Sequence, residues 1–217
     1  MDKLDYKKAF PELYLPPRHP VLIDIPALPF IMVEGCGDPN EPDGAYQQAL
    51  QLLYGLSFTI SMSGKGGSAP EGYFSYVVPP LEGLWWMLEG GMPDFQHKER
   101  FCWISMIRQP EFVTPEVFAW AQEQVLRKKR LDPSPARLQT YAEGLCVQCM
   151  HIGPYDEEPQ TLARMEEFMQ KNGLICDIET PLPGGMRRLH HELYLSDPRK
   201  VIPEKNRVIL RHPARRH

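Results

Sequence analysis

Apolar residues recur at three and four spacing in two stretches of the chain. Residues 44 to 61, GAYQQALQLLYGLSFTIS, place Tyr46, Ala49, Leu50, Leu53 and Tyr54 on one side, and residues 159 to 171, PQTLARMEEFMQK, do the same with Leu162, Met165, Phe168 and Met169. This period predicts two amphipathic helices. A third is predicted from residue 114, where Thr114 suits the N-cap, Pro115 the first helical position, and Val117, Phe118, Ala121 and Val125 form the apolar face.

Between the helices lie short apolar or alternating runs bounded by Gly and Pro, the pattern of strands. In the first half these are FIMVEGCGDP, YFSYVV, EGLWWML and FCWISMI; in the second they are LCVQCMHIGPY, HELYL and NRVILRHP. Many of the 23 prolines sit beside these runs and mark strand ends or edges. The order strand, helix, strand, strand occurs twice. It predicts an α+β fold of duplicated units: two antiparallel sheets facing each other about a pseudo-twofold, a cleft between them, and helices on the outer faces. The whole chain reads as one domain, with an N-terminal extension over 1–25, a first repeat over 26–112, a connecting helix and linker over 113–140, and a second repeat over 141–217.

Alternation within the strands proposes which side chains face the cleft. Along HHELYLS, Leu193 and Leu195 share one face, leaving His190, Glu192 and Tyr194 on the other. Along GLWWML, Trp86 goes with Leu84 and Leu88 while Trp85 goes with Met87, so one indole belongs to the core and its neighbour to the cleft. The ladder does not settle which, although Trp85 is the better cleft candidate.

Composition adds bounds. A chain of 217 residues with 42% hydrophobic and 24% charged residues buries a substantial core, and a net charge of -4 supplies no basic field for nucleic acid. The basic stretches RKKR at 127–130 and RHPARRH at the end read as a solvated helix end and a frayed terminus. No apolar run approaches 18 residues and the first residues are charged throughout, so no membrane partner is expected and cytoplasm is the default. Five scattered cysteines make no disulfide framework and fit a reducing compartment. Cys146 and Cys149 spell C-x-x-C, but three apart on a strand they face opposite sides, which argues against redox or zinc chemistry. No metal or cofactor is expected. SGKGGS at 63–68 lacks Walker spacing and reads as a lid or linker, and neither G-x-S-x-G nor H-E-x-x-H is present.

A carboxylate among aromatic rings has two uses: ionised, it attracts a cationic ligand, and desolvated, it becomes a general base near neutral pH. Glu192 is the candidate, with His190 on the same face to orient it or shuttle a proton. Gly153 and Pro154 end a strand and deliver Tyr155 to the sheet rim, where its hydroxyl can donate a hydrogen bond; packing over the following helix start, near Asp156, Glu157 and Glu158, is the plainer reading. Tyr46, Tyr73, Trp85, Trp86, Trp103 and Tyr194 complete the candidate walls for a small aromatic or cationic molecule.

The stretches FIMVEGCGDPN, YVVPPLEGLWWM, FCWISMIRQPEFVT, AEGLCVQCMHIGPYDEEP and HELYLSDPRKVIPEK resemble the GyrI-like small-molecule-binding family from about residue 20 onward. The resemblance implies the duplicated fold, an aromatic cleft between repeats, and a glutamate deep in that cleft, matched here by Glu192. The branch with a VVPPLEGLWW segment resembles proteins that hydrolyse cyclopropane-bearing genotoxins; other branches bind drugs, inhibit gyrase or sense effectors. The hydrolase expectation and that of a passive binder both follow from the same pocket.

Overall fold

The computed structural model describes residues 3–65, 69–94, 96–197 and 199–216. Two short N-terminal helices, α1 (Tyr6–Ala9) and α2 (Pro11–Tyr14), precede β1 (Val21–Cys36), α3 (Ala45–Ser61), β2 (Leu81–Met87) and β3 (Phe101–Arg108). There follow α4 (Pro115–Lys129), β4 (Ala136–Ile152), α5 (Glu158–Lys171), β5 (Leu174–Cys176), β6 (His190–Tyr194) and β7 (Arg207–Arg216). The three helices expected from periodicity are α3, α4 and α5, and Thr114 caps α4 by accepting from the Val117 amide at 3.3 Å.

All ladders are antiparallel, and they run β4–β1–β3–β2–β6–β7 with β7 pairing back to β4. Six strands therefore close a barrel, and β5 adds to the edge of β7. The fold is α+β as expected, but the two separate sheets are not found. The reason is edge pairing: β2 of the first half bonds to β6 of the second, and β1 bonds to β4, so the two halves are joined edge to edge.

Closure also corrects the boundaries. β1 starts at Val21 and runs through Pro26 and Pro29, because up to that point it pairs with β4 alone and the missing amides face no second ladder. β4 begins at Ala136, within the stretch expected to be linker. YFSYVV is not a strand; it holds a single bridge, Tyr76 to Leu4, and its rings Tyr73, Phe74 and Tyr76 pack around Phe112. The RHPARRH tail, expected to fray, supplies the last residues of β7 up to Arg216; His217, and residues 66–68 of the expected lid, lie outside the described residues.

Period-two alternation gives every strand an outer face toward α3 or α5 and an inner face toward the barrel. Ala49, Leu52, Leu53, Leu56 and Ile60 of α3 pack on the sheet with Ile31, Val33, Trp103 and Ile107, and Met165 and Met169 of α5 pack on Val147, Cys149, Val208 and Leu210. Trp103 demands Gly35 opposite it, since a Cβ there would lie 2.5 Å from the indole Cη2. Inside the barrel, the His191 imidazole bonds Glu82 through Nε2 at 3.1 Å and Glu143 through Nδ1 at 3.0 Å, while Arg211 bonds Glu143 at 3.3 Å and Gln148 at 3.1 Å.

Cys36 and Cys102 are cross-strand partners of β1 and β3 and form a disulfide. One cross-strand bridge thus stands where no disulfide framework is expected, and the argument from cysteine usage to a reducing compartment loses its support. A separation of 66 residues hides the pairing in the sequence. Closing a loop of that length predicts that Cys36→Ser lowers stability by about 2–4 kcal/mol relative to the oxidised protein, read by urea unfolding. Cys146 and Cys149 do face opposite sides, both are buried, and burial raises both thiols. Among the described residues no helix is long and apolar enough to cross a membrane.

Candidate functional site

On the outer face of β6, between the first turns of α3 and α5, the structure gathers a buried polar and aromatic cluster. Register explains it: antiparallel partners share a face, so Trp103, Trp85 and His190 lie in one row, and Ser105, Gly83 and Glu192 in the next. Glu192 Oε1 lies 3.0 Å from His190 Nε2, and His190 Nδ1 lies 2.7 Å from Nε2 of His212 on β7. A single line of hydrogen bonds thus joins Glu192, His190 and His212. Burial, and secondly the neighbouring His190, hold His212 well below the usual imidazole range, so its ring stays neutral.

The aromatic side is as ordered. The Trp85 indole N–H donates to the Tyr194 hydroxyl at 2.8 Å, Tyr46 tilts against Trp85 with centroids 5.4 Å apart, and Tyr155 meets Tyr194 edge-on at 6.4 Å. Burial raises the phenols of Tyr46 and Tyr194, with the charge of Glu192 as the next cause; it pushes Tyr155 up to about 12 against the opposing side chain of Asn206. All three therefore carry their protons at neutral pH and can donate. Gly83 makes the Trp85 bond possible, because a Cβ there would stand 2.7 Å from the indole nitrogen and 3.2 Å from the Tyr194 oxygen. Gly83→Ala is accordingly expected to break this bond and to weaken aromatic ligands by about 1 kcal/mol, measured by tryptophan fluorescence quenching.

Six of the residues singled out in the sequence, Glu192, His190, Tyr155, Tyr194, Trp85 and Tyr46, come together here. Trp103 stands behind them, edge-on to Tyr46 at 5.1 Å and fully buried. Trp86 does not join: it is on the inner face with Leu84, Cys102 and Ile104, and the Arg187 guanidinium lies 5.3 Å from its ring. Tyr73 is also elsewhere, donating to the Ser61 carbonyl at 2.8 Å and packing on Phe112. Glu192 and His190 are buried, and cavities of about 340 and 400 Å³ lie beside other parts of α5 without contact to Glu192.

Three contributors escaped the sequence reading: Gly83, His212 and Glu158. The last is the first residue of α5, fully enclosed, and neither of its carboxyl oxygens has a hydrogen-bond partner among the described residues. The signal was present, since stepping back along the buried face from Met169 and Met165 reaches Thr161 and then Glu158. Burial, and then the charge of Glu192, hold Glu158 well above the usual carboxylate range. Its position at a helix N-terminus favours the ionised form by only about 0.3–2 kcal/mol. An unpaired buried charge costs several kcal/mol, so the protonated form wins. Glu158, His190 and Glu192 each present an atom within 4.8 Å of the others, a meeting of α5 and β6 that spacing along the chain could not show.

Comparison with known proteins places the fold. Residues 19–213 match the GyrI-like small molecule binding domain. The chain belongs to that family. An uncharacterized conserved protein from Listeria innocua is 45% identical with a TM-score of 0.88, covering 98% of this chain and 100% of its own. A hydrolase from the same organism is 44% identical with a TM-score of 0.87 over the same shares. The C-terminal domain of EcmrR, 12% identical with a TM-score of 0.51 over 92% of this chain and 98% of its own, shares the fold. No curated protein matches the chain. Within this GyrI-like domain, Glu192 is bonded to His190, and Tyr194 next along the chain face is bonded to Trp85 and meets Tyr155 edge-on.

Proposed function

We propose that this GyrI-like protein hydrolyses flat, apolar electrophiles, with cyclopropane-bearing genotoxins as the substrate class, and that Glu192 is the general base. The observation that carries this reading is the His190 hydrogen bond to a buried glutamate beside a tyrosine and tryptophan wall. The hydrolase from Listeria innocua at 44% identity adds support. In outline, the electrophile stacks between Tyr46, Trp85 and Tyr155 once the tyrosines swing aside. Glu192, as carboxylate, takes a proton from a water beside the strained carbon. A hydrogen bond from Tyr155 steadies the oxygen that gains charge as the ring opens. His190 orients the carboxylate, and His212 fixes His190 in turn.

A second reading is a binder that sequesters cationic aromatic molecules without turnover; a carboxylate enclosed by rings suits a delocalised cation as well as a reaction. The deciding experiment incubates the protein with cyclopropane-bearing and cationic aromatic compounds and follows both affinity and product mass. Gain of one water by a cyclopropane compound, at a rate set by protein concentration, is the expected result. Binding of cations with no product from any compound would favour sequestration.

A further inference from the structure

The cavity of about 340 Å³ is bounded by the end of β4, the first half of α5 and the segment ahead of β1, and no residue of the Glu192 cluster lines it. Two guanidinium groups do, those of Arg18 and Arg164. The main chain delivers Arg18, since the Met150 amide donates to the Pro17 carbonyl at 2.9 Å and the Cys149 thiol donates to the Arg18 carbonyl at 3.1 Å. Arg164 is held by its side chain. Its Nη2 donates to the Thr161 hydroxyl at 2.8 Å, and that oxygen lies 2.9 Å from His151 Nδ1. His151 Nε2 lies 3.0 Å from the Pro154 carbonyl, which only accepts, so the ring donates there and takes the Thr161 hydroxyl hydrogen at Nδ1. Thr161 and His151 are both buried, so Arg164 is oriented from inside the protein while its other N–H groups stay unused. Among the described residues neither arginine forms an ion pair. Burial raises the Cys149 thiol, and the charges of Arg164 and Arg18 both act against it, which sets the two guanidiniums around one sulfur. Glu157 lines the cavity too, but at the Gly153 turn, where its Oε2 would stand 3.2 Å from a Cβ at Gly153. About two helical turns, roughly 10 Å, separate it from Arg164.

We propose that this cavity is a second binding site, for a small molecule with an oxyanion head, carboxylate or phosphate, and an ammonium or hydroxyl group at its other end. Arg18 and Arg164 take the head, because guanidinium N–H groups match the oxygens of either anion in paired, charge-assisted bonds. Two like charges facing one space without a counter-ion repel, and the head relieves that repulsion. Glu157 accepts from the far end. Gln160 adds an amide that both donates and accepts, while Met150 and Ile152 give the body of the ligand an apolar wall. A volume at the low end of small-molecule sites limits the occupant to a few carbon atoms between its polar ends. The whole chain carries a net charge of -4, so its general field repels anions and attraction must come from these two side chains. The site is independent of the hydrolase reading, since none of its lining residues has a part in that chemistry.

Calorimetric titration at low salt tests this with phosphoethanolamine, 4-aminobutyrate and inorganic phosphate as probes. One of the two ammonium-bearing probes is expected to bind, the first identifying a phosphate head and the second a carboxylate head. Arg18→Gln and Arg164→Gln are each expected to weaken it about tenfold or more, and both residues are exposed, so neither change threatens the fold. Arg127→Gln, which removes an exposed charge from α4, should leave affinity unchanged. Thr161→Ser, which keeps the hydroxyl that orients Arg164, should do the same. Glu157→Gln should weaken the ammonium-bearing probe while inorganic phosphate binds more tightly, because the acceptor of the far end and a like charge go together. Absence of binding by every probe at about 10 mM would overturn the site. So would equal weakening in Arg127→Gln and Arg164→Gln, which would reduce the effect to net charge. Binding of inorganic phosphate alone would overturn the two-ended ligand.

Discussion

Replacing Glu192 with Gln is expected to lower turnover by about 10² or more while a neutral aromatic ligand binds nearly as before. Gln keeps the shape, the contact with His190 Nε2 and the fit between Gly83 and Leu210, but it cannot accept the proton of water. If the protein only sequesters cations, the same change removes the counter-charge instead, and cationic ligands weaken by about 1–3 kcal/mol with no turnover to lose. Paired measurements decide between these outcomes. Fluorescence quenching gives affinity, since Trp85 lies against Tyr46 in the cluster, and product mass gives turnover. Unchanged affinity together with unchanged turnover would remove Glu192 from the site.

The second large effect belongs to the barrel interior. Glu143→Gln is expected to destabilise the protein by about 3–5 kcal/mol, because it leaves Arg211 and the His191 imidazole without their shared buried carboxylate. Burial works to raise Glu143, but the charges of His191 and Arg211 prevail and pull it from 4.5 down to about 2. Its contribution to stability is therefore complete above the unfolded value near 4.5 and is lost as pH falls toward 2. His191 runs in the opposite sense. Burial alone would lower it, yet Glu143 and the hydrogen bonds to Glu143 and Glu82 raise it above 6.5, so its contribution is complete below 6.5 and is lost as pH rises through the folded value. Urea unfolding across pH should show wild type losing stability on both sides of a mildly acidic plateau, with the acid limb flattened in Glu143→Gln. A variant within about 1 kcal/mol of wild type would show that the network contributes little.

Two residues illustrate how the site was and was not legible. Glu192 could be proposed because a two-residue period, together with the family resemblance, set it on the polar face of a strand with His190 and Tyr194. Glu158 reads in the sequence as one of three acids near a helix start, where an acidic run is ordinarily solvated and favourable. Only the docking of α5 on β4 and β7 turns that first turn inward and removes the carboxyl group from water.

Local rules in the sequence determined what depends on neighbours along the chain. The helices α3, α4 and α5, the cap at Thr114, the opposite facing of Cys146 and Cys149, and the alternation separating Trp85 from Trp86 all follow from periods of 3.6 and 2 and from Pro and Gly chemistry. Tertiary structure decided what depends on pairing between distant strands. The joining of β2 to β6 and of β1 to β4 made one barrel out of two expected sheets, the pairing of β1 with β3 brought Cys36 to Cys102, and the expected strand NRVILRHP was extended to Arg216 as β7. Strand register across such separations is set by burying whole faces at once, a global free energy to which no short window of residues gives access.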